Sequence, residues 1–177
     1  MRTNKLDQPS SWRAWDGSGF TIHLNSPYPA PQNTEHCVFV SKNEIAAMSG
    51  SLAYNTYLGK YLLVGVSASN DPQNPACGTY YSLSDDLTTW TPRKLIWAHE
   101  TPNPPCMQGV DSAGSVTYPS IIDHNQLTDA SDLNFEKSGN RPHLYYIVRR
   151  NAGNNRDLLR RPITICETGK PVPGVCP

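Results

Sequence analysis

Gly78-Thr79-Tyr80-Tyr81-Ser82-Leu83-Ser84-Asp85-Asp86-Leu87-Thr88-Thr89-Trp90 is the stretch that decides the fold. Its first six residues centre on the β-formers Thr79, Tyr80 and Tyr81 and predict a strand over Gly78 to Leu83. The polar run that follows predicts a turn. An Asp side chain there can accept backbone N–H groups two or three residues on, and a Trp can then pack over the corner. Asp7-Gln8-Pro9-Ser10-Ser11-Trp12 has the same spacing, with Asp five residues before Trp. A corner that recurs along a chain points to a repeated sheet unit.

Outward from that corner the same strand signals recur. Ser51 to Asn55, Tyr61 to Ser67 and Arg93 to Trp97 read as short strands bounded by turn residues, with Leu58-Gly59-Lys60 as a tight turn. With Gly78 to Leu83 they predict one four-stranded antiparallel sheet over 49–97. A second sheet is predicted over 117–165, from strands at Thr117 to Asp123, His143 to Arg149 and Leu158 to Ile165. Pro162 marks an edge or a break in the last of these. Gln126 to Asn140 is polar and fits a short helix or loop. Residues 1–20 read as the tail of a preceding unit and 166–177 as an irregular tail. The predicted fold class is all-β, built of antiparallel sheets in one domain.

Composition agrees with a strand-and-turn protein and excludes several functions. The 177 residues hold 16 Pro and 12 Gly, which favours frequent turns over long helices. Fifteen Lys+Arg balance fifteen Asp+Glu, giving no general attraction to nucleic acid or an anionic membrane. The clusters Arg149-Arg150 and Arg160-Arg161, with Arg156 nearby, read as a solvated rim. No apolar run approaches the ~18 residues that span a bilayer. Met1 to Gln8 is polar and lacks a secretory core, so the expectation is a cytoplasmic chain or one cut from a longer precursor, the second being favoured. The five cysteines, Cys37, Cys77, Cys106, Cys166 and Cys176, contain no C-x-x-C pair and no His at zinc-ligand spacing. No metal or other cofactor is expected. Cys77, Cys106 and Cys176 lie in Pro/Gly-rich loops where disulfides would suit an exported protein, and five free thiols are the alternative. There is no G-x-S-x-G elbow, P-loop or dinucleotide fingerprint.

The run Gly78 to Ser82 leading into Ser84-Asp85-Asp86-Leu87-Thr88-Thr89-Trp90 resembles the third-strand corner of the five-bladed β-propeller glycoside hydrolases, a superfamily that includes arabinanases, β-xylosidases, invertases and levansucrases. Tyr118-Pro119-Ser120-Ile121-Ile122-Asp123, followed by His143-Leu144-Tyr145-Tyr146, is similar to the first two strands of another such blade. The resemblance covers most of 5–165 and implies about two blades, the C-terminal part of a propeller. It also implies an extracellular protein acting on or binding an oligo- or polysaccharide.

Glycoside hydrolysis needs two carboxyl groups about one sugar bond, ~5 to 9.5 Å apart. In the resembled family these come from early inner strands, which the chain lacks by this reading. Two candidates remain. Asp123 ends a predicted inner strand and suits a catalytic or sugar-orienting carboxylate, or a cap on the following turn. Glu35, in Thr34-Glu35-His36-Cys37, stands near the Glu-Cys pair of the invertase branch, but His36 intervenes and the segment reads as a loop. Tyr54, Tyr118, Ser120 and His124 are candidate substrate-binding residues, because Tyr faces stack on sugar rings and Ser and His bond hydroxyls. Inter-blade packing is the alternative for the tyrosines. Trp12, Trp15 and Trp90 are expected at corners and in the core. Three readings stay open: a propeller glycosidase incomplete as a catalyst, a non-catalytic carbohydrate-binding or structural module, and a β-sandwich unrelated to sugars.

Overall fold

The computed structural model describes residues 1–23, 36–46, 48–69, 76–99, 114–124, 135–150 and 155–169. They form two compact units, Met1–Lys42 and Asn43–Pro177. The described residues are mostly β, with one 3-10 turn at Pro9–Ser11 and one helical turn, α1, at Lys42–Ile45.

In the first unit, β1 (Arg13–Trp15) and β2 (Phe20–His23) form a two-stranded hairpin. Its turn is held by Asp16, whose Oδ1 accepts the Ser18 and Gly19 amides at 2.7 Å each. Gly17 supplies the positive φ of 109° that the turn requires. Trp15 meets Phe20 edge to face at 5.0 Å. The stretch Asp7 to Trp12 does not reproduce the Asp–Trp corner. Pro9–Ser11 winds into the 3-10 turn, the Asp7 carboxylate bonds no backbone amide among the described residues, and Trp12 is half-buried. Proline at the first position of that turn sets its φ and takes the chain out of the Asx geometry.

The second unit holds two sheets. The first contains β3 (Ser51–Asn55), β4 (Lys60–Ala68), β5 (Cys77–Ser84), β6 (Lys94–Ala98) and β8 (Lys137–Ser138), in the order β6-β5-β4-β3-β8. The second contains β7 (Val116–Ile122), β9 (His143–Arg150) and β10 (Asn155–Pro162), in the order β10-β9-β7. The expected meanders are therefore present: β3 to β6 run consecutively antiparallel, and so do β7, β9 and β10. Two corrections apply. The first sheet is not purely antiparallel, because β8 lies parallel to β3, with Tyr54 opposite Lys137 and Asn55 opposite Ser138. The last strand ends at Pro162, which lacks an amide proton. The Ile163 and Ile165 amides instead donate to the Pro142 and Asn140 carbonyls at 3.0 and 2.9 Å.

Alternation along the strands builds the core. Leu62 and Val64 of β4 face Ile121 of β7 and Leu144, Tyr146 and Val148 of β9. Arg161 joins the two sheets at one side. Its guanidinium lies 4.1 Å from the Trp97 ring centroid and its Nε donates to Tyr146 Oη at 3.1 Å. At Gly50 the sheets approach so closely that a Cβ would lie 2.6 Å from the Val64 carbonyl oxygen and 2.7 Å from that of Pro119.

The corner that opened the sequence argument folds as expected. Asp86 Oδ1 accepts the Thr88 and Thr89 amides at 2.8 and 2.7 Å. These bonds hold its carboxyl well below the usual carboxylate range. Trp90 is 7% exposed and donates its indole N–H to the Leu87 carbonyl at 3.1 Å. Asp85 instead pairs with Lys60 on the surface.

Candidate functional site: the open face of the second sheet

Register places the site. On β9 the even residues Leu144, Tyr146 and Val148 point into the core, so His143, Tyr145 and Ile147 occupy the opposite face. Ser120 of β7 and Arg160 of β10 lie directly across from Tyr145 on either side. One row thus carries a hydroxyl, a phenol and a guanidinium over three adjacent strands. His124, two residues beyond the end of β7, completes the group: its Nε2 and Tyr145 Oη share a 2.8 Å hydrogen bond. Arg160 Nη1 donates to the same phenolic oxygen at 3.3 Å. The His124 and His143 rings meet edge to face with centroids 5.4 Å apart. His143 Nδ1 is buried without a hydrogen-bond partner among the described residues.

The ladder between β7 and β9 is irregular between Thr117 and Ser120. Tyr118 sits in that irregularity at φ 54° and is 61% exposed. A bulky residue at positive φ is a strained conformation. It precedes Pro119, which itself excludes the helical region for Tyr118. The strain sets an aromatic ring in solvent two residues before Ser120.

Asp123 has a different setting. It is 1% exposed, and its Oδ2 accepts the Gly139 amide at 2.7 Å. Asn55, also buried, holds the same peptide from the other side, donating to the Gly139 carbonyl at 2.7 Å and to Ser138 Oγ at 3.0 Å. Asn55 Oδ1 accepts the Leu58 amide at 2.8 Å, closing the turn between β3 and β4. These bonds fix β8 against β3. Through Oδ2 the Asp123 carboxylate reaches buried backbone across the chain.

The other sequence candidates separate. Tyr54 belongs to β3 in the first sheet, where it meets Tyr61 edge to face at 5.3 Å. Glu35 lies outside the described residues. Tyr118, Ser120 and His124 share one strand and its end, and Ser120 and His124 both border Tyr145. Tyr145, His143 and Arg160 were missed by sequence reasoning. Their signal was the alternation of His143-Leu144-Tyr145-Tyr146-Ile147, which assigns one face to the core and leaves the other facing outward. Of the three tryptophans expected at corners and in the core, Trp90 is buried, and Trp12 and Trp15 are half-buried in the small hairpin unit. Cys77 and Cys166 are disulfide-bonded, which overturns the five-free-thiol alternative, and Cys37 is a free, exposed thiol.

A cavity of about 610 Å³ opens beside the core, lined chiefly by Leu62, Val64, Ile96, Ile121, Ile163 and Ile165 with Lys94 and Glu167. Its aliphatic walls suit apolar contact and offer few partners to sugar hydroxyls. No group of three His, Cys, Asp or Glu side chains able to hold a metal ion occurs among the described residues. No described helix is long and apolar enough to cross a membrane. Comparison of the chain with protein-family models, with curated proteins and with solved structures finds no match.

Proposed function

We propose that the chain is a carbohydrate-binding module of propeller-blade type, and that it binds an oligo- or polysaccharide without hydrolysing it. The observation that carries this reading is Tyr118, a strained aromatic displayed in solvent two residues before Ser120, which borders Tyr145 and, through it, His124. Sugar recognition combines an aromatic face against C–H groups with side-chain donors and acceptors for the hydroxyls. This face offers both. The meanders β3-β4-β5-β6 and β7-β9-β10 have the up-and-down connectivity of propeller blades.

Binding is favoured over hydrolysis by the setting of Asp123. Two-carboxylate hydrolysis requires two acids aimed at one bond. Asp123 is the acid at the end of β7, and it is engaged with the Gly139 amide beneath the surface. The disulfide-bonded Cys77 and Cys166 fit an oxidising compartment, as expected of a protein that meets polysaccharide outside the cell.

Affinity electrophoresis of the whole chain through gels carrying arabinan, xylan or pectin tests the proposal. Retardation on at least one polymer is expected, weakened in Tyr118→Ala, with no turnover of those polymers, sucrose or nitrophenyl glycosides. Migration unaffected by every polymer would refute binding. Turnover that disappears in Asp123→Asn while the fold persists would refute the non-catalytic reading.

A further inference from the structure

We infer that the sugar taken by this face is acidic, and that its carboxylate or ester sulfate is seated on Arg160; the inference rests on the carbohydrate-binding reading above. The charge on the second sheet is segregated by strand alternation. On β10, Arg156, Leu158 and Arg160 face the same way as Tyr145, while Asp157 falls on the opposite face and pairs with Arg150 at 2.9 Å. On β7 and β9 the same face carries Ser120, His143, Tyr145 and Ile147, and Arg149, opposite Arg156, lies buried on it. Two exposed arginines thus share a face on which these strands place no carboxylate.

Arg160 is also positioned. Edge strands often carry cations that merely block pairing with other sheets, and such side chains point freely into water. Arg160 instead spends one N–H on Tyr145 Oη. That bond holds the guanidinium over the sheet, beside His124, and leaves four of its five N–H donors. None of them meets a protein carboxylate among the described residues. A planar oxyanion can take two of them in parallel, the geometry in which arginine binds carboxylate most strongly. Tyr145 and His124 then lie within reach of the neighbouring hydroxyls, and Tyr118 precedes Ser120 on β7 by two residues.

The test is isothermal titration of the whole chain with polygalacturonate, the same polymer fully methyl-esterified, dextran sulfate, and polyacrylate as an anion without sugar. Polygalacturonate or dextran sulfate is expected to bind tighter than the ester by about ten-fold or more, the scale of a charge-assisted pair. Which of the two binds assigns carboxylate or sulfate. Arg160→Gln should remove that advantage. Arg150→Gln, the same charge change on the other face, should leave it intact, and circular dichroism should show both variants folded. Equal binding of acid, ester and sulfate overturns the acidic-sugar inference and spares the carbohydrate reading. So does Arg160→Gln binding the anionic polymer as tightly as the parent. Polyacrylate binding as tight as that of either anionic polysaccharide overturns the carbohydrate reading, and the acidic sugar with it.

Discussion

Replacing Asp123 by alanine separates a structural carboxylate from a chemical one. In the folded chain its Oδ2 accepts the Gly139 amide at 2.7 Å in a site closed to solvent. A hydrogen bond to a charged acceptor contributes about 1.5 to 3 kcal/mol, and the amide left behind would be buried and unsatisfied. The lost side-chain volume adds to this, so the expected cost is about 2 to 4 kcal/mol. Asp123→Asn keeps an oxygen acceptor in place and should cost about half as much. Asn55 holds the carbonyl of the same Gly139. The double variant Asp123→Ala/Asn55→Ala should therefore fall short of additivity by at least about 0.5 kcal/mol, because either loss alone frees the Gly139 peptide. Urea unfolding at pH 7, followed by tryptophan fluorescence, measures all five proteins, the parent and the Asn55→Ala single variant included. The midpoint should move while the slope stays constant. A loss below about 0.5 kcal/mol for Asp123→Ala would refute the reasoning, since no buried charged acceptor is removed so cheaply.

Three further outcomes are expected. Trp90→Ala should cost about 3 to 5 kcal/mol in the same titration, as a buried corner aromatic is deleted; a loss under ~1 kcal/mol would contradict the packing. Gly50→Ala should lower stability by about 1 to 3 kcal/mol, because the added methyl meets two backbone oxygens that cannot step aside; a neutral result would mean the sheets are further apart than 2.7 Å from that Cβ allows. Burial lowers His99 from 6.5 to about 4, so the unfolded chain binds the extra proton between those values. Stability should be complete above about pH 6.5 and fall as pH drops toward 4, by about 1 to 2 kcal/mol once solvent access to the ring is allowed for. In His99→Asn that slope should be absent; its persistence would assign it to other groups.

The sequence by itself determined the strands and the corner. Ser51–Asn55, the long apolar run of β4 and the alternation of β9 fix where chain is extended and which side chains are buried, because strand period and β-branched content are local properties. The Asp86–Trp90 corner was legible for the same reason: its bonds close within four residues. What only tertiary structure decided depends on partners distant in the chain. The parallel addition of β8 to β3 requires Asn55 and Asp123 to grip a peptide 84 and 16 residues away, and no local pattern encodes that grip. The same bonds seat the Asp123 carboxylate against the buried Gly139 peptide. Tyr145, His124 and Arg160 became a site only when register set three strands side by side, since hydrogen bonds across a sheet join residues that spacing along the chain leaves unrelated.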